Sequence, residues 1–183
     1  MHETSLGETL RDYLTGESIE ATTYEDLRQA LARLLVEGLG YPAERVVPRL
    51  AVRFPVDDGE YCRTVDLTVT APDGSPLMLV FFCPGQVNTF ARESLAAARL
   101  MTGGPAPLVA VSDLRDAALY AVADGTQLAS GMRALPRHAD IDHLAAAHPV
   151  PPMDDTRRAA EQRILYAYSE FLKRCCDESV CLL

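Results

Sequence analysis

The sequence predicts one α/β domain: a central mixed β-sheet flanked by helices, with an extra helix at the C-terminal end. Three observations carry this. A capped amphipathic helix spans about residues 22–42, and strand-like segments parted by turn residues follow it. A continuously apolar stretch at 77–83 is then succeeded by a helix and another apolar strand. Helical and strand periods alternating around a segment apolar on both faces describe a sheet covered on both sides. The 183 residues suit one domain of ordinary size, and a 48% apolar share supplies a core. With no Trp, that core is expected to be Leu, Val and Ala. The domain is expected over 1–153, with its recognisable core at about 22–123. A C-terminal helix and a Cys-containing tail are expected over 154–183, the helix packing on the domain or serving as a dimer helix.

In chain order, residues 4–14 read as a short helix with Leu6, Leu10, Tyr13 and Leu14 on one side, ended by Gly16. Thr22 and Glu25 then form a capping-box pattern, in which hydroxyl and carboxylate each satisfy an otherwise free backbone N–H. Leu27, Leu31, Leu34 and Leu35 recur behind it at helical spacing. Gly40 supplies a left-handed cap and Pro42 follows. Strands are expected at 46–54, 61–70 and 77–83, with Val65, Leu67 and Val69 on one face of the second. Pro72-Asp73-Gly74-Ser75 is a turn. A helix is expected at 88–102, strands at 108–111 and 118–123, and a turn at Asp124-Gly125. Residues 126–153 are weakly patterned and end in a proline-rich strap. The last helix, 156–175, carries Ile164, Leu165, Tyr168, Phe171 and Leu172 as an apolar stripe.

Net charge is −9, from 26 acids against 17 bases. That field opposes tight nucleic-acid binding, which rests on clustered Lys and Arg. Lys173 is the single lysine of the chain. No run of apolar residues is long enough for a membrane helix. The N-terminus lacks a basic patch followed by an apolar run, so the expected compartment is the cytoplasm. The five cysteines (Cys62, Cys83, Cys175, Cys176 and Cys181) are an odd number with no CxxC pair, which favours reduced thiols over a zinc site.

The run from Tyr24 to about Tyr120 resembles the N-terminal domain of type I restriction enzyme R subunits, within the PD-(D/E)xK nuclease superfamily. Four pieces carry the likeness. Glu25-Asp26-Leu27-Arg28-Gln29 opens a helix that closes with Gly38-Leu39-Gly40-Tyr41-Pro42. Arg63-Thr64-Val65-Asp66-Leu67-Thr68-Val69 is similar to an R-x-x-D-L-x-V strand. The turn Asp73-Gly74-Ser75-Pro76 leads into Leu77-Met78-Leu79-Val80, and Leu108-Val109-Ala110-Val111-Ser112 comes later with Leu119-Tyr120. The resemblance implies a restriction-endonuclease-like core.

It also implies a site. In the family, an Asp at the end of one strand and a Glu two residues before a Lys on the next hold a divalent metal and activate water. The two-residue spacing puts Glu and Lys on one face of their strand. Mg²⁺ prefers hard oxygen ligands and steadies the leaving group. Asp66 matches the Asp, and Glu25 matches a helix acid near the site. The Glu-x-Lys falls on Phe81-Phe82-Cys83. Neither a benzyl ring nor a thiol does the work of an acid or an amine. The family's downstream Gln motif is not evident, and Glu93 and Ser94 occupy that neighbourhood.

Each candidate also has a plain structural reading. Glu25 caps a helix, and Asp66 is a vestige facing solvent or bonding a backbone N–H. Cys83 is a buried small hydrophobe, and Phe81 and Phe82 fill the core or the cleft. His138, His143 and His148 are spaced by five, outside helical ligand spacing. Arg92 and Arg99 are solvated surface arginines, with phosphate contact as their functional alternative.

The leading expectation is a catalytically inactive nuclease-fold protein that acts as a binding or interaction module. It would need no cofactor, and its partner would be another protein or a second copy met through the C-terminal helix. One alternative is an active Mg²⁺-dependent endonuclease with migrated ligands, built on Asp66, Glu25 and Glu93 with Arg92 in place of lysine. Another is a DNA-binding accessory protein of a restriction system.

Overall fold

The computed structural model describes residues 5–175, with side chains to Tyr168. An N-terminal hairpin of β1 (Ser5–Arg11) and β2 (Ser18–Thr22) precedes helix α1 (Glu25–Arg33), whose last turn widens into a π turn at Leu34–Gly38. A six-stranded sheet follows, in the order β3 (Val46–Val56), β4 (Gly59–Thr70), β5 (Pro76–Phe82), β6 (Leu108–Ser112), β7 (Ala117–Ala121) and β8 (Gln127–Ser130). Helix α2 (Ala91–Arg99) crosses from β5 to β6, and this is the parallel pair of an otherwise antiparallel sheet. A parallel neighbour needs such a crossover, whereas tight turns join the antiparallel ones. Helices α3 (His138–Ala147) and α4 (Asp155–Cys175) follow the sheet. No helix among the described residues is long and apolar enough to cross a membrane.

The expected mixed sheet with flanking helices and a C-terminal helix is therefore present. β5 shows why its sequence is apolar throughout. Leu79 and Phe81 enter a core beneath α2, while Met78 and Val80 enter a second core beneath α1 and α3. Both faces are covered, so both alternating sets are apolar.

Two segments differ from expectation. Residues 5–11 form a strand rather than a helix. Leu6 and Leu10 are four apart, a spacing that fits a helix face and equally two strides of a strand. Gly7 takes φ +71°, and Tyr13 and Leu14 fall in the turn beyond. Residues 126–153 are organised as β8, a short 3-10 turn and α3. Helix α3 buries only Ile141 and Ala145 among its ten residues, which explains its faint pattern.

Helix α4 is continuous with the main core. Leu165 is fully buried in the cluster beneath α2, with Ile164 and Tyr166 packed beside it. Tyr166 meets Tyr61 edge-on at 4.6 Å. Of the expected apolar stripe, Phe171 and Leu172 lie outside the described side chains.

The β3–β4 ribbon reverses its faces partway along. Val65 packs into the core beneath α2, yet Leu67, two residues on, packs beneath α1. On β3, Val46 joins the second core and Val52, Phe54 and Val56 the first. The pairing runs from Val46–Val69 to Pro48–Leu67 and resumes at Leu50–Val65. Arg49 and Asp66 stand opposite each other in the gap, and Arg49 takes φ +54°. This left-handed residue lies at the point where the faces exchange.

Candidate functional site

Asp66 sits where two strands part. β4 pairs with β5 from Thr70–Pro76 to Leu67–Val80, and Asp66 is the first residue past that ladder. Its Oδ2 bridges the opening by accepting the Phe82 N–H at 2.9 Å. Its Oδ1 accepts Arg28 Nε from α1 at 3.2 Å. The same guanidinium donates through Nη1 to Glu25 Oε2. Arg28 therefore bonds to two of the three carboxylates that the sequence marks as candidates, Glu25 and Asp66.

Local sequence brings Glu25 here. Thr22 Oγ1 accepts the Glu25 N–H at 3.0 Å, the hydroxyl half of the expected capping box; Tyr24 stands at the N-cap, and the Glu25 carboxylate does not cap the helix. The Glu25 carboxylate, 4% exposed, turns along the helix to its i+3 and i+4 neighbours, Arg28 and Gln29. Gln29 Nε2 donates to Glu25 Oε1 at 2.6 Å and to Asp12 Oδ2 at 3.0 Å. Gln29 Oε1 accepts the Tyr13 N–H at 2.7 Å. Asp12 Oδ1 accepts the N–H groups of Leu14 and Thr15, and Oδ2 faces Arg49 Nη2 at 3.8 Å. Burial pushes the Asp12 carboxyl upward. The Thr15 N–H, the Gln29 amide, the Leu14 N–H and the Arg49 charge more than offset this and hold it below the usual carboxylate range.

Phe81 and Cys83 point into the core beneath α2. The Phe81 ring carries the Arg63 guanidinium 5.5 Å from its centroid, and Arg63 Nε donates to Glu93 Oε1 at 2.5 Å. Cys83 is fully buried, with Sγ 3.7 Å from the Gly85 carbonyl. Burial, and then the negative charges of Asp113, Asp66 and Asp116, push its thiol up to about 12. Cys83 thus feels the field of Asp66. The β5 residue bonded to Asp66 is Phe82, whose ring meets Tyr24 edge-on at 5.7 Å.

The other candidates are engaged elsewhere. Glu93 is committed to Arg63 on the α2 side. Arg92 Nη1 lies 3.7 Å from Glu161 Oε2. Arg99 is buried rather than solvated: Nη1 donates to Glu161 Oε1 at 2.7 Å, and Nε and Nη2 donate to the Val122 carbonyl. His138 Nε2 accepts Arg45 Nη1 at 2.8 Å, since a guanidinium has no lone pair to offer in return. Among the described residues, no group of three or more His, Cys, Asp or Glu is arranged to hold a metal ion. Reduced thiols are found at Cys83 and corrected at Cys62, which is disulfide-bonded. Cys176 and Cys181 lie outside the described residues.

Sequence reading passed over Asp12, Arg28, Gln29 and Arg49 as members of this network. Two of them carried a usable signal, because residues three and four positions after a buried helix acid share its face.

No curated protein and no solved structure matches the chain. A model of the type I restriction enzyme R protein N terminus matches residues 23–136, a range that holds Glu25, Arg28, Asp66 and the whole of β5. On that match, over more than half its length, the chain belongs to the family of the type I restriction enzyme R protein N terminus.

Proposed function

We propose that this protein is a nuclease-fold binding module in which metal-dependent hydrolysis has been given up. One observation carries the reading: the Arg28 guanidinium bonds to both Glu25 and Asp66. A divalent cation in a nuclease site neutralises clustered carboxylates and polarises water. Here a fixed organic cation does the neutralising and offers no open coordination position. The sequence of β5 supports this in any register, because Pro76–Phe82 holds neither a carboxylate nor an amine. Cys83 beyond it is a buried thiol.

The net charge of −9 favours a protein surface as partner over DNA. Part of the α4 stripe is already spent on the chain's own core, so contacts with a partner fall on other surfaces or on the far end of that helix. The test is a plasmid cleavage assay with Mg²⁺ and Mn²⁺. The expected result is no cleavage above background, and the same background from Asp66→Ala. Metal-dependent cleavage that Asp66→Ala abolishes overturns the reading.

A further inference from the structure

We propose that the N-terminal hairpin is a detachable lock on the Glu25–Arg28–Asp66 centre, closed by Asp12 and by the shared amide of Gln29. The inference rests on the reading that Arg28 closes this centre, and adds what holds it closed.

The hairpin precedes the residues that match the family. Among the described residues its two strands pair with each other and with no other strand. Six of the seven residues of β1 are exposed, Leu6 to 49%. An isolated two-stranded ribbon is marginal in water, so its order depends on how its turn is tied down. That tie is polar. Asp12 and Gln29 are 3% and 5% exposed, and each uses both ends of its polar group. Asp12 fastens its own turn with one oxygen and takes the Gln29 amide with the other. Gln29 holds the hairpin at two points, Asp12 and the Tyr13 N–H, and holds the centre at a third, Glu25.

One side-chain amide thus joins the hairpin to the acid that Arg28 grips. If the hairpin lifts, Glu25 keeps Arg28 and the Gln29 amide, but that amide loses Asp12 and the Tyr13 N–H, the two partners that fix its orientation toward Glu25. Arg49 loses its partner Asp12 while standing opposite Asp66 on the adjacent strand. Both changes loosen the grip of Arg28, and of the core only the partly buried Tyr13 and Leu14 at its margin are withdrawn. Segments that open alone are those with few buried apolar contacts, and β1 has that character.

The experiment is amide hydrogen exchange on the full chain, comparing wild type, Asp12→Asn, Arg49→Gln and Leu6→Ser. A lost charge-assisted hydrogen bond of this kind corresponds to about tenfold or more in local opening. In Asp12→Asn, exchange is expected to quicken by about that factor over residues 5–22 and also over 25–29, with β5 to β7 unchanged. Arg49→Gln is expected to give the same pattern more weakly, and keeps the test decisive should Asp12→Asn fail to fold. Leu6→Ser, remote from the lock, is expected to leave residues 25–29 at the wild-type rate. Faster exchange in the hairpin with none in residues 25–29 overturns the proposal, as does uniform acceleration across the sheet in both lock variants. Cleavage by the wild-type protein would remove the reading of an inactive centre and leave this exchange pattern to stand or fall separately.

Discussion

Arg28 Nε lies 3.2 Å from Asp66 Oδ1, although the two residues are 38 positions apart. Helix α1 and strand β4 are joined here by a charge-assisted bond between side chains that are 13% and 16% exposed. Both partners are sheltered enough that removing either leaves a charge in a poorly solvated place.

Arg28→Ala therefore destabilises the protein by about 3 kcal/mol, the scale for stranding buried charge. Urea unfolding at neutral pH reads it directly. Adding Asp66→Asn to Arg28→Ala is expected to recover part of the loss, since one stranded carboxylate is then neutral. A double variant as unstable as the sum of the singles would show that the two residues act independently.

The variant also tests the role of the guanidinium as a built-in counter-ion. With Arg28 gone, Glu25 and Asp66 face each other without a cation. Millimolar Mn²⁺ is expected to raise the melting temperature of Arg28→Ala and leave that of the wild type where it was. Equal shifts in both proteins would remove this account of the centre.

The hairpin latch has a pH signature. Asp12 is held below its ordinary value of 3.8 in the folded protein. A carboxyl depressed by folding contributes stability above its unfolded value, and that contribution is lost as pH falls through the folded value. Wild type is thus expected to lose more stability between pH 5 and pH 3 than Asp12→Asn. Denaturation midpoints measured across this range check it, and parallel acid limbs would refute it.

How much of this was legible in the sequence varies with the physics of each feature. The apolar run of β5, the Thr22 cap and the Gly40–Pro42 stop are local signals, and each element they announce is present. Residues 5–11 were misread because Leu6 and Leu10 fit two periods at once. Asp66 was legible as a special position, since a carboxylate inside a strand needs a reason. Its partner was not, because Arg28 reaches it only once α1 has docked on the sheet. The facing of Phe81 and Cys83 depended on where β4 leaves β5, and no residue pattern announces that point. Phe82 became the contact through its backbone N–H, a group every residue but proline carries.

Cys83 is expected to be inert. Its thiol is pushed up to about 12 by burial and by acids around it, so almost no thiolate exists at pH 8. Modification by a maleimide should follow unfolding of the sheet rather than local chemistry. Labelling of Cys83 located by peptide mapping, with a rate that tracks urea concentration, is the expected result. Rapid labelling in native buffer would contradict the burial of this side chain.

The buried pair Arg99–Glu161 fastens α4 to α2, with both side chains 4% exposed. Arg99→Ala strands the Glu161 carboxylate in a closed interface and is expected to cost about 3–5 kcal/mol. Arg99 also donates twice to the Val122 carbonyl, so its loss leaves that acceptor bare as well. Replacing both partners with apolar residues, Arg99→Met with Glu161→Leu, removes the stranded charge and is expected to restore most of the loss. The comparison also weighs α4 as a part of the domain. If α4 were an appendage, Glu161→Leu alone would leave the unfolding midpoint unchanged. As a packed element it carries Leu165 into the main core, so the midpoint falls when the buried Glu161 is replaced singly and recovers when the arginine is replaced with it.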